Sequence, residues 1–368
     1  MSKIKVDTVT NVAGTGAPNI PDGITIGGVA LASINVQEHY AQSAAPSSPK
    51  DGAVWYDTDD DKAYVYINSD FYELDYTNIP SSVGERGLFG GNSTESNVIQ
   101  YITISTPGNS TDFGDLTVAR RGLAACSSGT RGVFAGGYSP GFPPTIDYVT
   151  IATTGNATDF GDLISATYQS QAGAANITRG LFAGGNATVI GLTDAIDYIT
   201  IATPSNGTDF GNLTVARQEL AGAANLTRAL FASGTAISNI GDIIDYVTIA
   251  TTGNATDFGN LLSTASSATA GCASLSRALF GGGVYQNIIQ YVTISTPGNA
   301  TDFGDLSISK YLVRASSNGS RGVFGGGNDD NGNKVDTIEY VTIATTGNAT
   351  DFGDLLATTS SHAACSGD

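Results

Sequence analysis

The chain has 368 residues, with 34 acidic against 16 basic side chains and a formal charge of −18, so it repels phosphate backbones and anionic headgroups and no nucleic-acid partner is expected. Only 14% of residues are charged and 47 are glycine, a turn-rich β composition that excludes coiled coils and helical bundles. No apolar run reaches the roughly 18–20 residues of a membrane helix and the start lacks a signal-peptide core, so neither membrane insertion nor Sec export is expected. Three cysteines, an odd number, argue against a disulfide framework and for synthesis in a reducing cytoplasm.

Residues 1–45, which include Lys3-Ile-Lys-Val-Asp-Thr-Val-Thr-Asn11 and Gly16-Ala-Pro-Asn-Ile-Pro-Asp-Gly-Ile-Thr-Ile-Gly-Gly28, are too short and polar to bury a core alone. They are expected to be an extended segment that orders against copies of itself or a partner. Residues 46–84 carry three strand patterns, ending Val54-Trp-Tyr-Asp57, Lys62-Ala-Tyr-Val-Tyr-Ile67 and Phe71-Tyr-Glu-Leu74, and read as a small β-meander. Its aromatics Trp55, Tyr56, Tyr64, Tyr66, Phe71 and Tyr72 point to an oligomerisation surface, with a homotrimer expected; the competing reading is a monomeric sheet leaning on the rest of the chain. Asp57-Thr-Asp-Asp-Asp61 alternates carboxylates like a calcium loop, but Asn68 stands where an EF-hand requires a bidentate Glu, so a solvated turn is expected and no metal. The acidic stretch Asp329 to Asn333 is read in the same way.

From residue 85 to 368 one unit recurs. Thr-Asp-Phe-Gly comes six times, with Phe113, Phe160, Phe210, Phe258, Phe303 and Phe352 at intervals of 45 to 50 residues. Each copy also carries an Arg followed two residues later by Leu or Val and then Phe, beginning at Arg86, Arg131, Arg179, Arg228, Arg277 and Arg321, and a Tyr-Val/Ile-Thr-Ile segment. Alternation and turn residues divide the copy around residue 140 into four short strands, the signature of a β-propeller blade. The chain ends on His362-Ala-Ala-Cys-Ser-Gly-Asp368, a first strand with no second, whereas the first copy opens on a second strand with no first. Six blades closed by the C-terminal strand follow, because a propeller must close or expose an edge.

Six-fold repetition with no lysine motif makes Asp-Phe-Gly structural, although it shares its letters with a kinase metal-binding triplet. Gly supplies permissive backbone angles and Phe fills the space between blades. The six Arg match in number the six Asp of the same motif, Asp112, Asp159, Asp209, Asp257, Asp302 and Asp351, so one repeated ion pair within or between blades is predicted. Cys126, Cys272 and Cys365 share a position that elsewhere holds Ala174, Ala223 and Ser316, and read as small packing residues. His39 and His362 have no acid–base partner pattern. No catalytic residue, metal or cofactor is expected.

The segments between the second and third strands differ in length and character from copy to copy, whereas the Thr-Gly-Asn-Ala-Thr-Asp-Phe-Gly turns hardly change. Antiparallel order puts the variable loops on one face, which makes Tyr138, Phe142, Tyr285, Asp329 and Asp330 candidate ligand-binding residues suited to stacking on and hydrogen-bonding sugars; unconstrained drift is the competing reading. Copies also alternate. Pro107, Pro204 and Pro297 mark the first, third and fifth, against Thr154, Thr252 and Thr346 in the others. The segments after the fourth strand alternate too: those of the odd copies close on Arg120, Arg217 and Lys310. The ring is therefore expected to have pseudo-threefold symmetry.

Arg120 or Arg217 ahead of a first strand, Gly136-Gly137 or Gly184-Gly185 after a second, and Tyr in a third resemble a kelch repeat, with Phe replacing the expected Trp of the fourth strand. The meander strings and the N-terminal stretch resemble modules of tail-fibre and other virion proteins of tailed bacteriophages, particularly those infecting cyanobacteria. The resemblance implies a virion protein attached to other virion proteins through its N-terminus, serving as a tail-fibre or receptor-binding component that touches host surface polysaccharide. The alternative is a structural decoration of head, neck or baseplate with no host ligand. A depolymerase is not expected, because carboxylates are spread around the ring instead of clustered.

Overall fold

The structure is a computed structural model that describes residues 3–5, 24–26, 29–31, 39–42, 44–49, 54–57, 62–67, 70–75, 85–140, 144–164, 167–169, 171–187, 191–236, 241–263 and 268–367. The chain divides into two compact units, Met1–Ser81 and Ser82–Asp368, and no helix occurs among the described residues.

In the first unit Val54–Asp57, Lys62–Ile67 and Asp70–Asp75 form an antiparallel meander. Two strands from the N-terminal segment pair with it in parallel, Lys3–Lys5 beside Asp70–Asp75 and His39–Gln42 beside Val54–Asp57. The meander's outer strands offer unpaired N–H and C=O groups that these segments satisfy within the chain, so parts of residues 1–45 are paired without a partner molecule. Ile24–Ile26 and Val29–Leu31 make a separate hairpin.

The second unit is a six-bladed β-propeller, consistent with a kelch-like ring. The strands of each blade are labelled a to d from the axis outward. Blade 2 is Ala124–Ser127, Arg131–Ala135, Thr145–Thr150 and Thr158–Asp162, all antiparallel neighbours, and blades 3 to 6 repeat it from Ala172–Ala175, Ala221–Ala224, Ala270–Ala273 and Arg314–Ser317. Blade 1 takes its strand a from the chain's end: Ala363–Ser366 pairs with Arg86–Gly90, followed by Ser96–Thr103 and Thr111–Arg120. The six a strands neighbour one another in a closed circle.

Strand b lies between other strands and adjacent blades, so it reads as an apolar run instead of alternating; Phe89, Phe134, Phe182, Phe231, Phe280 and Phe324 on it are fully buried. Each strand-d Phe is buried and meets the Tyr of its own strand c edge to face at 5.7–5.9 Å.

Volumes are matched from blade to blade. A Cβ on Gly132, Gly180 or Gly322 of strand b would meet Sγ of Cys365, Cys126 or Cys272 on strand a of the preceding blade, and one on Gly87 would meet Oγ of Ser316. Where the strand-a residue is Ala174 or Ala223, strand b of the next blade carries Ala229 or Ala278, packed in the same cluster. The larger side chain faces glycine and alanine faces alanine, as native packing density requires. All three cysteines are buried and outside disulfides; burial raises the thiol pKa values, to about 12 for Cys272 and Cys365.

The near-invariant turns are clasps between blades. The motif glycines, such as Gly161 and Gly211, have φ of +142° and +145°, and a Cβ there would collide with the next blade's turn backbone. That turn answers with its Asn: Asn156 Oδ1 accepts from the Asp115 N–H (3.1 Å), and Asn206, Asn254, Asn299, Asn348 and Asn109 repeat the bond around the ring. Close approach and a left-handed angle both demand glycine, so packing accounts for the repetition of the motif.

Candidate functional site

With successive strands antiparallel, the a–b and c–d turns emerge on one face and the b–c loops and blade-to-blade linkers on the other. The b–c loops of the even blades are anchored to the linkers. Arg121 and Tyr138 exchange backbone hydrogen bonds, Tyr138 N–H to Arg121 C=O at 2.7 Å and the reverse at 3.1 Å, while the Arg121 guanidinium lies 4.5 Å over the Tyr138 ring. Gln218 pairs with Thr235 and Tyr311 with Asn328 in the same way.

Beneath these anchors three buried ion pairs join alternate blades. Arg120 meets Asp147 at 2.5 Å, Arg217 meets Asp245 at 2.9 Å and Lys310 meets Glu339 at 2.5 Å, each nearly or fully shielded from water. The cations also pin the base of the next b–c loop: Arg120 donates to the Gly136 and Thr145 carbonyls, Arg217 to those of Ser233 and Phe231, and Lys310 to Thr337 Oγ1. Burial lowers the pKa of both arginines and the aspartates oppose that fall. At the other junctions the acceptor is Gln100, Asp197 or Gln290, taking the backbone N–H of Leu356, Ile164 or Leu262. The pseudo-threefold alternation is thus an alternation of charged and uncharged blade junctions, apart from Asp197. The closing cations were visible in the sequence; their partners were not, because Asp and Glu on strand c look like solvent-facing residues until the end of the preceding blade covers them.

The predicted pairing of the motif arginines with the motif aspartates is corrected. Asp112, Asp159, Asp209, Asp257, Asp302 and Asp351 are exposed, and no ion pair among the described residues joins the two sets. Arg86, Arg131, Arg179, Arg228, Arg277 and Arg321 instead lie 4.2–4.8 Å over the strand-c Tyr of their own blade. Each also donates to a carbonyl of the next blade, such as Arg86 to Ile151 and Arg321 to Ile104. A planar guanidinium satisfies ring and carbonyl together, and these arginines keep partial solvent contact, so no carboxylate is required.

Of the candidate ligand residues, Tyr285 is the most exposed, at 75%. On the adjacent blade Asp330 is exposed and Asp329 half-exposed; Asp329 accepts from the Asn333 side-chain amide and from the Asn333 and Asn331 backbone N–H groups, which holds its pKa low. Tyr138 is half-buried and lies in blade 2, across the ring from blade 5 and Tyr285. Phe142 lies outside the described residues, as do residues 58–61 of the acidic N-terminal turn. The described candidate residues therefore do not converge on one pocket, and no cluster of metal-ligating side chains occurs among the described residues.

In the first unit Tyr64 is 5% exposed in the single chain, and Tyr66 stacks on Phe71 at 4.9 Å. Trp55 pairs in register with Tyr64, Tyr72 with Val65 and Tyr56 with Ala63; the side chains of Trp55, Tyr56 and Tyr72 lie outside the description.

The axis is hollow. Cavities of about 60 and 100 Å³ follow one another along the a strands, both lined by Ala125, Gly173, Gly222, Gly271, Ala315 and Ala364. On the loop face the mouth is framed by linker residues with left-handed backbones, Gly122, Glu219, Ala268, Leu312 and Ser361. They bond from blade to blade, with Gly122 N–H donating to Ser361 C=O and Leu312 N–H to Ala268 C=O. His362 is buried nearby, 5.8 Å from the Phe89 ring, and burial followed by the Arg314 charge drives its pKa to about 3, so it is neutral.

No protein-family profile matches this chain, and a comparison with curated proteins finds no match.

Proposed function

We propose that the protein is a non-catalytic virion component of a tailed bacteriophage, a tail-fibre or receptor-binding protein that contacts host surface polysaccharide through the loop face. The observation that carries this reading is the contrast between the faces. Packing accounts for the repeated turns, glycine by glycine, whereas the b–c loops differ in length and sequence, those of the even blades above anchors at their bases. A scaffold fixed on one side and diversified on the other is the usual arrangement of a recognition surface. Tyr285 supplies an exposed aromatic ring, and the next blade's loop carries the acceptors Asp329 and Asp330. In this reading residues 1–84 form a homotrimer and attach to other virion proteins, and the pseudo-threefold ring suits such an axis.

The test is binding of the full-length protein to intact cells of susceptible and resistant bacterial strains, with Tyr285→Ala and a replacement of residues 138–144 as comparisons. Selective binding that weakens in either variant supports recognition through the loops. A folded protein that binds no strain removes the receptor-binding reading and leaves a structural decoration of the virion.

A further inference from the structure

One residue breaks the symmetry of the axis. The first residue of strand a is Ala124, Ala172, Ala221, Ala270 and Ala363 in five blades, but Arg314 in the sixth. Arg314 lines the 60 Å³ cavity below the mouth on the loop face. Its Nη1 donates to the neighbouring Val313 carbonyl at 2.9 Å, and no carboxylate among the described residues lies within ion-pair distance. The nearest acidic influence is Glu219, whose carboxylate accepts from Thr235 Oγ1. Burial pushes the Arg314 pKa down to about 10, which still leaves the group charged at neutral pH.

Two further donors line the same cavity without partners. Gln171 is 6% exposed and its Nε2 has no hydrogen bond; Thr269 is 1% exposed and its Oγ1 has none. Arg314 is half-buried and has no carboxylate of the described residues within ion-pair distance, and buried donors without acceptors carry a free-energy cost that proteins rarely leave standing. The three come from blades 6, 3 and 5 and line one small space, and the side-chain atoms left without partners there, Gln171 Nε2 and Thr269 Oγ1, are able to donate. A cavity of this size holds about two water molecules.

We propose that the axial cavity is a binding site for a small monovalent anion of halide size, held by Arg314 with Gln171 and Thr269. The anion supplies the counter-charge that Arg314 lacks and ties blades 3, 5 and 6 together. Glu219 at the mouth opposes anion entry, most strongly for multiply charged anions.

The test uses bromide as probe on the full-length protein. Melting temperature is followed against sodium bromide, with sodium gluconate holding ionic strength constant, and crystals grown without halide are soaked in bromide for anomalous diffraction. A saturable rise of several degrees and a bromide peak on the axis are expected. Arg314→Ala, which gives blade 6 the residue of the other five, should abolish both, and Glu219→Gln should shift the rise to lower bromide. Should Arg314→Ala fail to fold, Thr269→Val serves instead, with a rise displaced to higher bromide. Absence of both peak and saturable rise in the wild-type protein, or an unchanged rise in Arg314→Ala, overturns the proposal.

Discussion

At five of the six blade junctions, the residue type that closes strand d or its linker in the sequence agrees in charge with the acceptor on the next strand c. Arg120, Arg217 and Lys310 face Asp147, Asp245 and Glu339, while uncharged residues, Ala265 and Thr359, stand at the equivalent sequence positions of the junctions that carry Gln290 and Gln100. At the junction of blades 2 and 3, Thr167 occupies the cation's position but the partner is still an acid, Asp197. Burial raises the Asp197 pKa from 3.8 to about 6, with Asp209 adding to the rise and the Ile164 hydrogen bond opposing it. An acid with a raised folded-state pKa holds its proton more tightly when folded. The contribution of Asp197 to stability is therefore greatest below pH 3.8 and falls as pH climbs towards about 6, above which the loss is complete. At about 1.36 kcal/mol per pH unit the shift corresponds to about 3 kcal/mol, which residual solvent contact reduces to about 1–2 kcal/mol. Asp197→Asn keeps an acceptor for the Ile164 N–H and removes the charge. It should stabilise the ring by about 1–2 kcal/mol near neutral pH and by almost nothing near pH 4, measured as urea unfolding free energies across that range. A stabilisation equal at both ends, or none near neutrality, would refute the account of this junction.

Removing residues 363–368 takes away strand a of blade 1 and opens the circle; the expected loss is on the order of the whole folding free energy, about 5–15 kcal/mol, and a nearly unchanged calorimetric transition would contradict closure by that strand. Arg217→Met strands Asp245 in the interior and should cost about 3–5 kcal/mol, whereas the double change with Asp245→Gln, which copies the uncharged junctions, should recover most of it; the double-mutant cycle reads the difference. Gly180→Ala should cost about 1–3 kcal/mol by collision with the Cys126 thiol. Adding Cys126→Ala should restore stability by recreating the alanine pair that Ala174 and Ala229 make; equal melting temperatures for the single and double variants would show that this contact does not set the packing.

The blade count, the four-strand division and the C-terminal closure were all legible in the residues, because a β-strand's two-residue period and its glycine turns are local properties, and six copies of one unit leave few ways to close. The motif Phe and the small cysteine position were legible for the same reason. What the arginines of strand b touch was not, since an Arg is satisfied equally by a carboxylate, a ring face or a carbonyl, and only the next blade decides which. The buried acids of strand c escaped notice on the same ground: Asp147 and Asp197 follow identical local patterns, and one becomes half of an ion pair while the other becomes a weak acid. Arg314 is one unusual letter in a repeat until the circle closes and brings it beside Gln171 and Thr269 from other blades. Sequence by itself determined the unit and its repetition, which depend on neighbours along the chain; the tertiary structure alone decided where each charge finds its partner, because those partners lie a whole blade or more away in sequence.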